Sequence, residues 1–107
     1  MWCKPTQKQL SAIPALYETE KVPIPEKVVH MHFFIGACDW YVTEYDPDER
    51  IFFCYAILNG DTQNAEWGYT SFDELIDIKT RTGVQVDRDR SWKPMPVKSI
   101  PKIKQRG

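Results

Sequence analysis

Apolar and polar positions alternate along "KVVHMHFFI", and β-branched and aromatic residues fill the stretch, which predicts a half-buried β-strand. Gly36-Ala37-Cys38 reads as the turn that follows, and "DWYVTEY" as a second strand. "DPDE" is a strong turn signal, because proline presets φ and aspartate caps the bend. "RIFFCYAIL" is then a third strand, "NGD" another turn, and "NAEWGYT" a fourth, weaker strand. The pattern changes at "SFDELIDIKTRTG". Ser71 followed by Glu74 predicts a capping box, and Phe72, Leu75 and Ile76 form one helical stripe that Gly83 would stop. Upstream, "TQKQLSAI" predicts a short helix over residues 6–13 with Thr6 as N-cap. Pro14, Pro23 and Pro25 make the intervening stretch a connector that packs Leu16 and Tyr17 down. "VQVDRD" reads as a short edge strand, and Pro94, Pro96 and Pro101 as an extended surface tail. The expected fold is α+β: an antiparallel meander of three or four strands, an N-terminal helix, and a second helix packed on one sheet face.

Strand parity divides this sheet. Val29, Met31, Phe33 and Ile35 share a face, and tight hairpins would add Tyr41, Thr43, Tyr45, Phe52, Cys54, Ala56 and Leu58. That side is nearly all apolar and is assigned to the core under the helix. The other side takes His30, His32, Phe34, Trp40, Val42, Glu44, Ile51, Phe53, Tyr55 and Ile57, with Glu66 from the fourth strand. It is too apolar for a plain solvated face, so either the N-terminal helix and tail cover it or it binds something. A slip of one residue in a turn would exchange the two faces.

Composition narrows the class. The chain has 107 residues, 42% hydrophobic and 27% charged, which suits one globular domain over 1–107 with a Pro/Lys-rich tail from about residue 92. No apolar run approaches the ~20 residues of a membrane span, and "MWCKPTQKQL" lacks the apolar stretch of a signal peptide, so a cytoplasmic protein is expected. Cys3, Cys38 and Cys54 are odd in number and widely spaced, which fits free thiols. The net charge of −1 gives no bulk attraction to nucleic acid; the tail's Lys93, Lys98, Lys102, Lys104 and Arg106 are the one basic cluster.

Candidate chemistry is sparse. His30 and His32, with Glu44 across the hairpin, have zinc-ligand residue types, but an HxH pair alone is weak and a hydrogen-bonding role is favoured. Glu44, Glu66, Asp87 and Asp89 could supply an acid–base pair; the favoured alternative pairs Glu44 and Glu66 with Arg50, Arg88 or Arg90. No nucleophile triad spacing, phosphate loop or dinucleotide fingerprint occurs, and no cofactor is expected. Trp40, Tyr41, Tyr45, Tyr55, Trp67 and Tyr69 crowd the sheet, as core or as interface aromatics.

The ordered series "LYETE", "HMHFF", "DWYVTEYD", "FFCYAILNGD", "EWGYTSFDEL" and "GVQVDRD" resembles the bacterial domain-of-unknown-function family 2958, over roughly Leu10 to Lys98. Departures are the missing proline after "HFF", Cys54 for a glycine, Asp87 for a glutamate and Trp92 for a phenylalanine. The resemblance implies no activity. It marks His32, Trp40, Glu44, Asp46, Glu66, Tyr69, Glu74, Arg88 and Asp89, and it implies a setting on plasmids, phages and other mobile elements. His32 belongs to that pattern and His30 does not, which argues against a paired metal site. The expectation is a non-enzymatic binding protein that holds a bacterial host protein or a small polar ligand on the mixed face. An inhibitor of host defence, such as an anti-CRISPR, would be one form of it. Trp40, Tyr55 and Tyr69 would give contact area; His32, Glu44, Glu66, Arg88 and Asp89 would orient the partner. The alternatives are a small metal-dependent or acid–base hydrolase and a nucleic-acid accessory factor using the basic tail.

Overall fold

The computed structural model describes residues 5–78 and 81–103. Cys3, Lys104 and Arg106 fall outside them. In chain order the elements are α1 (Gln7–Ser11), β1 (Val28–Val29), β2 (Met31–Ile35), β3 (Cys38–Asp46), β4 (Ile51–Ile57), β5 (Glu66–Ser71), α2 (Phe72–Asp77), β6 (Asp87–Arg88) and β7 (Met95–Pro96). The fold is α+β. Strands β2 to β5 form the expected meander, β6 adds to its edge, and the five-stranded order is β5-β4-β3-β2-β6; β1 and β7 make a separate antiparallel pair.

Local chemistry sets the boundaries. Thr6 caps α1 in a full capping box, its Oγ1 accepting from Gln9 N at 3.1 Å while Gln9 Oε1 accepts from Thr6 N at 2.8 Å. At α2 the hydroxyl half of the box forms, Ser71 Oγ accepting from Glu74 N at 3.3 Å. This helix stops at Asp77, well before Gly83, because Ile78 is already extended (φ −68, ψ 125). Phe72 and Leu75 are its buried residues, and no apolar residue after Ile78 continues the stripe before Gly83. In the "DPDE" turn Asp46 Oδ1 accepts from Asp48 N at 2.9 Å, and Arg50 takes the left-handed φ of 55°.

The first hairpin corrects the face assignment. Ile35 pairs with Cys38, so the turn is the two residues Gly36-Ala37, with Gly36 at φ 54° as a type II′ turn prefers at its first central position. Cys38 belongs to the strand and not to the turn. Trp40 therefore pairs with Phe33 and Val42 with Met31 on the helix side, while Asp39 and Tyr41 point to the other side. The register then shifts between Val42 and Glu44. Thr43 is the extra residue of a β-bulge, fully buried, its hydroxyl donating to Phe53 O at 3.2 Å. The bulge exchanges parity a second time, so Glu44 and Tyr45 return to the sides expected of them.

Both α-helices cover the first side. Leu10 and Ile13 from the N-terminal segment, Phe72 and Leu75 from α2, and Val86 pack on Phe33, Trp40, Val42, Tyr45 and Phe52. The tail covers part of the second side. Val97, Ile100 and Ile103 bury themselves against Val29, Tyr41, Tyr55 and Ile57, each apolar side chain contributing about 1.5–3 kcal/mol. The tail holds a 3₁₀ turn at Val97–Ser99, and Trp92 Nε1 donates to Val29 O at 3.0 Å. Val29, expected under the helices, thus lies under the tail, and Leu58, also expected there, is exposed. Cys38 and Cys54 are free thiols.

Trp40 is 5% exposed and Tyr69 56% exposed. Trp40→Ala should lower the unfolding free energy by about 3–5 kcal/mol and Tyr69→Ala by less than about 1 kcal/mol, measured by urea denaturation. Equal effects would contradict this register.

Candidate functional site

The tail stops short of one end of the second side. There a cleft of about 380 Å³ opens between Tyr17, Glu20, Ile24, Lys27, Glu44, Phe53, Trp67 and Tyr69. Its floor is an aromatic row on adjacent strands. Phe53 lies stacked on Trp67 (centroids 5.5 Å, 18° between planes) and tilted against Tyr69 at 5.3 Å. Register explains the row: Phe53 pairs with both Glu44 and Tyr69, so one cross-strand line carries an acid, a phenyl ring and a phenol.

The wall is a loop held by one carboxylate. Glu44 is 3% exposed. Its Oε1 accepts from Tyr17 N at 2.9 Å, and its Oε2 accepts from Thr19 N at 3.0 Å and from the Thr19 hydroxyl. Tyr17 is left-handed (φ 68°), which costs a non-glycine residue about 1–2 kcal/mol; the bond to its N–H helps hold it there. Lys27, also buried, donates from Nζ to Thr19 O at 2.6 Å and Oγ1 at 3.0 Å. Thr19 thus bridges a buried acid and a buried base. Tyr17 is exposed, and its phenol is the first cause raising the Tyr69 phenol above its ordinary range, ahead of desolvation. Both Glu44 oxygens are occupied by the loop, so this carboxylate organises the cleft and is not a free base.

A second constellation joins the tail to the sheet. His32 Nε2 lies 2.7 Å from Asp39 Oδ1, and Lys102 Nζ donates to Asp39 Oδ2 at 3.1 Å. His32 Nδ1 is buried and lies 3.5 Å from Asp89 Oδ2, and the ring stacks flat on Tyr41 at 4.5 Å. Burial, then the charges of Asp39 and Asp89, push the Tyr41 phenol up to about 12. Arg88, Asp89, Arg90 and Lys102 rim an open, polar depression beside it. Both imidazole nitrogens are turned toward carboxylates inside the domain, which suits a fastening for the tail.

The residues expected to share one site therefore separate. Glu44 and Tyr69 meet in the aromatic cleft. His32, Arg88 and Asp89 meet at the tail fastening. Tyr55 is buried between them, in edge contact with Trp67. Trp40 lies in the core on the opposite side, and Glu66, paired with Ala56, lies on that side at the exposed edge. Arginine does not pair with Glu44, whose partners are Tyr17 and Thr19; Arg50 pairs with Asp73 at 3.0 Å and covers the Phe72 ring. His30 is partly buried, and desolvation lowers its pKa. Among the described residues no group of three His, Cys, Asp or Glu is arranged to hold a metal ion. Lys27 and Glu20 were not candidates from sequence, and no local pattern marks them. Trp67 was legible among the crowded aromatics and Phe53 on the mixed face, whereas Tyr17, expected to pack down, is exposed.

Fold and site together define a small α+β protein with an aromatic cleft at one end of a partly covered sheet. The chain belongs to the DUF2958 family, described as proteins of unknown function, whose family model matches residues 4–100. No curated protein and no solved structure matches it.

Glu44→Gln replaces an acceptor-only group by an amide that cannot take all three bonds. It should destabilise the protein by about 1–3 kcal/mol and speed hydrogen exchange at the Tyr17 and Thr19 amides. Unchanged exchange there would remove Glu44 from the cleft wall.

Proposed function

We propose that this protein is a non-enzymatic binding protein that uses the aromatic cleft to hold a segment of another protein. The supporting observation is the row Phe53–Trp67–Tyr69, which stays open while the tail covers the middle of the same side. Rigid aromatic side chains give contact area at low entropic cost and are enriched in the centres of interfaces. Glu20 lines the same cleft and offers a negative charge to a polar group on the partner, while Lys27 is held by Thr19 in the cleft wall. A binding role is favoured over a hydrolase because the acids and imidazole best placed for catalysis are engaged internally: Glu44 by the loop, His32 and Asp39 by the tail fastening. The family's association with plasmids and phages supports a host protein as the partner and, as one concrete form, inhibition of a host defence system. A cytoplasmic location follows from that reading.

A photo-crosslinking amino acid in place of Tyr69 tests this inside bacterial cells. The expected result is a discrete adduct with one host protein, reduced about tenfold or more by Trp67→Ala. A control crosslinker in place of Glu66, on the opposite side, should give no such adduct. Equal labelling from both positions would contradict a role for the cleft.

A further inference from the structure

We infer that the free edge of β5 pairs with β5 of a second copy of this chain, antiparallel and with the two-fold axis at Gly68. The two edges of the five-stranded sheet are unlike. Strand β6 is two residues long and charged, Asp87 and Arg88, the usual protection against edge pairing. Strand β5 runs six residues, Glu66–Ser71, with no proline, no lysine and its single charge at one end. Among the described residues no backbone hydrogen bond reaches its outer side.

The hydrogen-bond phase of that edge is fixed by its neighbour. Phe72 N donates to Arg50 O at 2.8 Å, one step beyond the Ile51–Ser71 pair. Alternation along an antiparallel ladder then turns the backbone groups of Glu66, Gly68 and Thr70 toward β4 and those of Trp67 and Tyr69 outward. A two-fold axis at Gly68 places Trp67 opposite Tyr69 of the second copy, in both directions. Each such pair exchanges two backbone bonds, so the phase is self-complementary. Glu66 then faces Thr70 of the second copy and not another Glu66, so like charges are not opposed. The axis itself falls on a non-hydrogen-bonded pair, where strands bring side chains closest. Gly68 supplies none, and a Cβ built there meets nothing within 4 Å.

The side-chain consequence links the edge to the cleft. Trp67 and Tyr69 lie on the cleft side, so each would meet its aromatic counterpart across the axis. The rows Phe53–Trp67–Tyr69 of the two copies become one continuous strip, and each cleft gains a rim from the other chain. Six-residue strands bury little area, so the dimer is weak and concentration-dependent.

Sedimentation equilibrium on the full chain, with disulfide trapping, tests this whether or not the cleft binds a host protein. The wild type should show a monomer–dimer equilibrium at total concentrations up to about 1 mM. Gly68→Lys sets two ammonium groups at the axis and should remove the dimer without changing the thermal transition. Gly68→Cys, in a Cys3→Ser, Cys38→Ser, Cys54→Ala background because Cys54 pairs with Gly68 within the chain, should oxidise to a covalent dimer. Glu66→Cys in that background should not. A wild type that stays monomeric throughout, a dimer that survives Gly68→Lys, or equal trapping at 66 and 68 would overturn the inference.

Discussion

Thr43 is one residue too many for the β3–β4 ladder, and the phase of the whole sheet turns on it. Before the bulge, β3 sends Trp40 and Val42 toward the helices; after it, the same side receives Tyr45, so the helix-side core stays continuous from Met31 to Phe52. On the other side the bulge delivers Glu44 where an uninterrupted strand would have placed Thr43. An acid at that point is what the Tyr17–Thr19 backbone requires, since the amides there have no strand to pair with. Without the bulge, either Glu44 would enter an apolar core unpaired or Tyr45 would leave it, and both are costly.

The second side is divided between cover and opening. Its middle is sealed by a tail that carries its own apolar residues and is fastened through Lys102, Asp39 and His32. Its β5 end is bounded by the loop on Glu44 and left uncovered. Buried polar groups do the positioning at both ends: Glu44 with Thr19 and Lys27 at one, Asp39 with His32 and Lys102 at the other. At the cleft, Glu44 has both oxygens bonded to the loop, and a satisfied network of that kind holds geometry, which suits an opening whose aromatic floor must stay available.

Much of the fold was legible because local signals agreed. Alternating β-branched and aromatic residues, separated by "DPDE" and "NGD", specify strands and turns with little ambiguity, and both helices carry their N-cap residues. Parity was not legible within "CDWYVT": Trp40, Tyr41, Val42 and Thr43 are each acceptable on either side of a sheet, so composition cannot report a two-residue turn followed by a bulge. Of the candidate site, Tyr69 and Glu44 were found, but the role of Glu44 was not. Its partners lie 27 and 25 residues away in a connector that shows no pattern of its own. Asp39 was likewise hidden, because its partners His32 and Lys102 come from a neighbouring strand and the distant tail.

The bulge is measured most directly by nuclear Overhauser contacts between Hα protons across β3 and β4. Contacts are expected for Val42–Cys54 and for Tyr45–Phe52, with Thr43 left over between them. A Glu44–Phe52 contact would mean an uninterrupted ladder, with Glu44 on the helix side and the loop without its anchor, and would contradict the structure of the cleft.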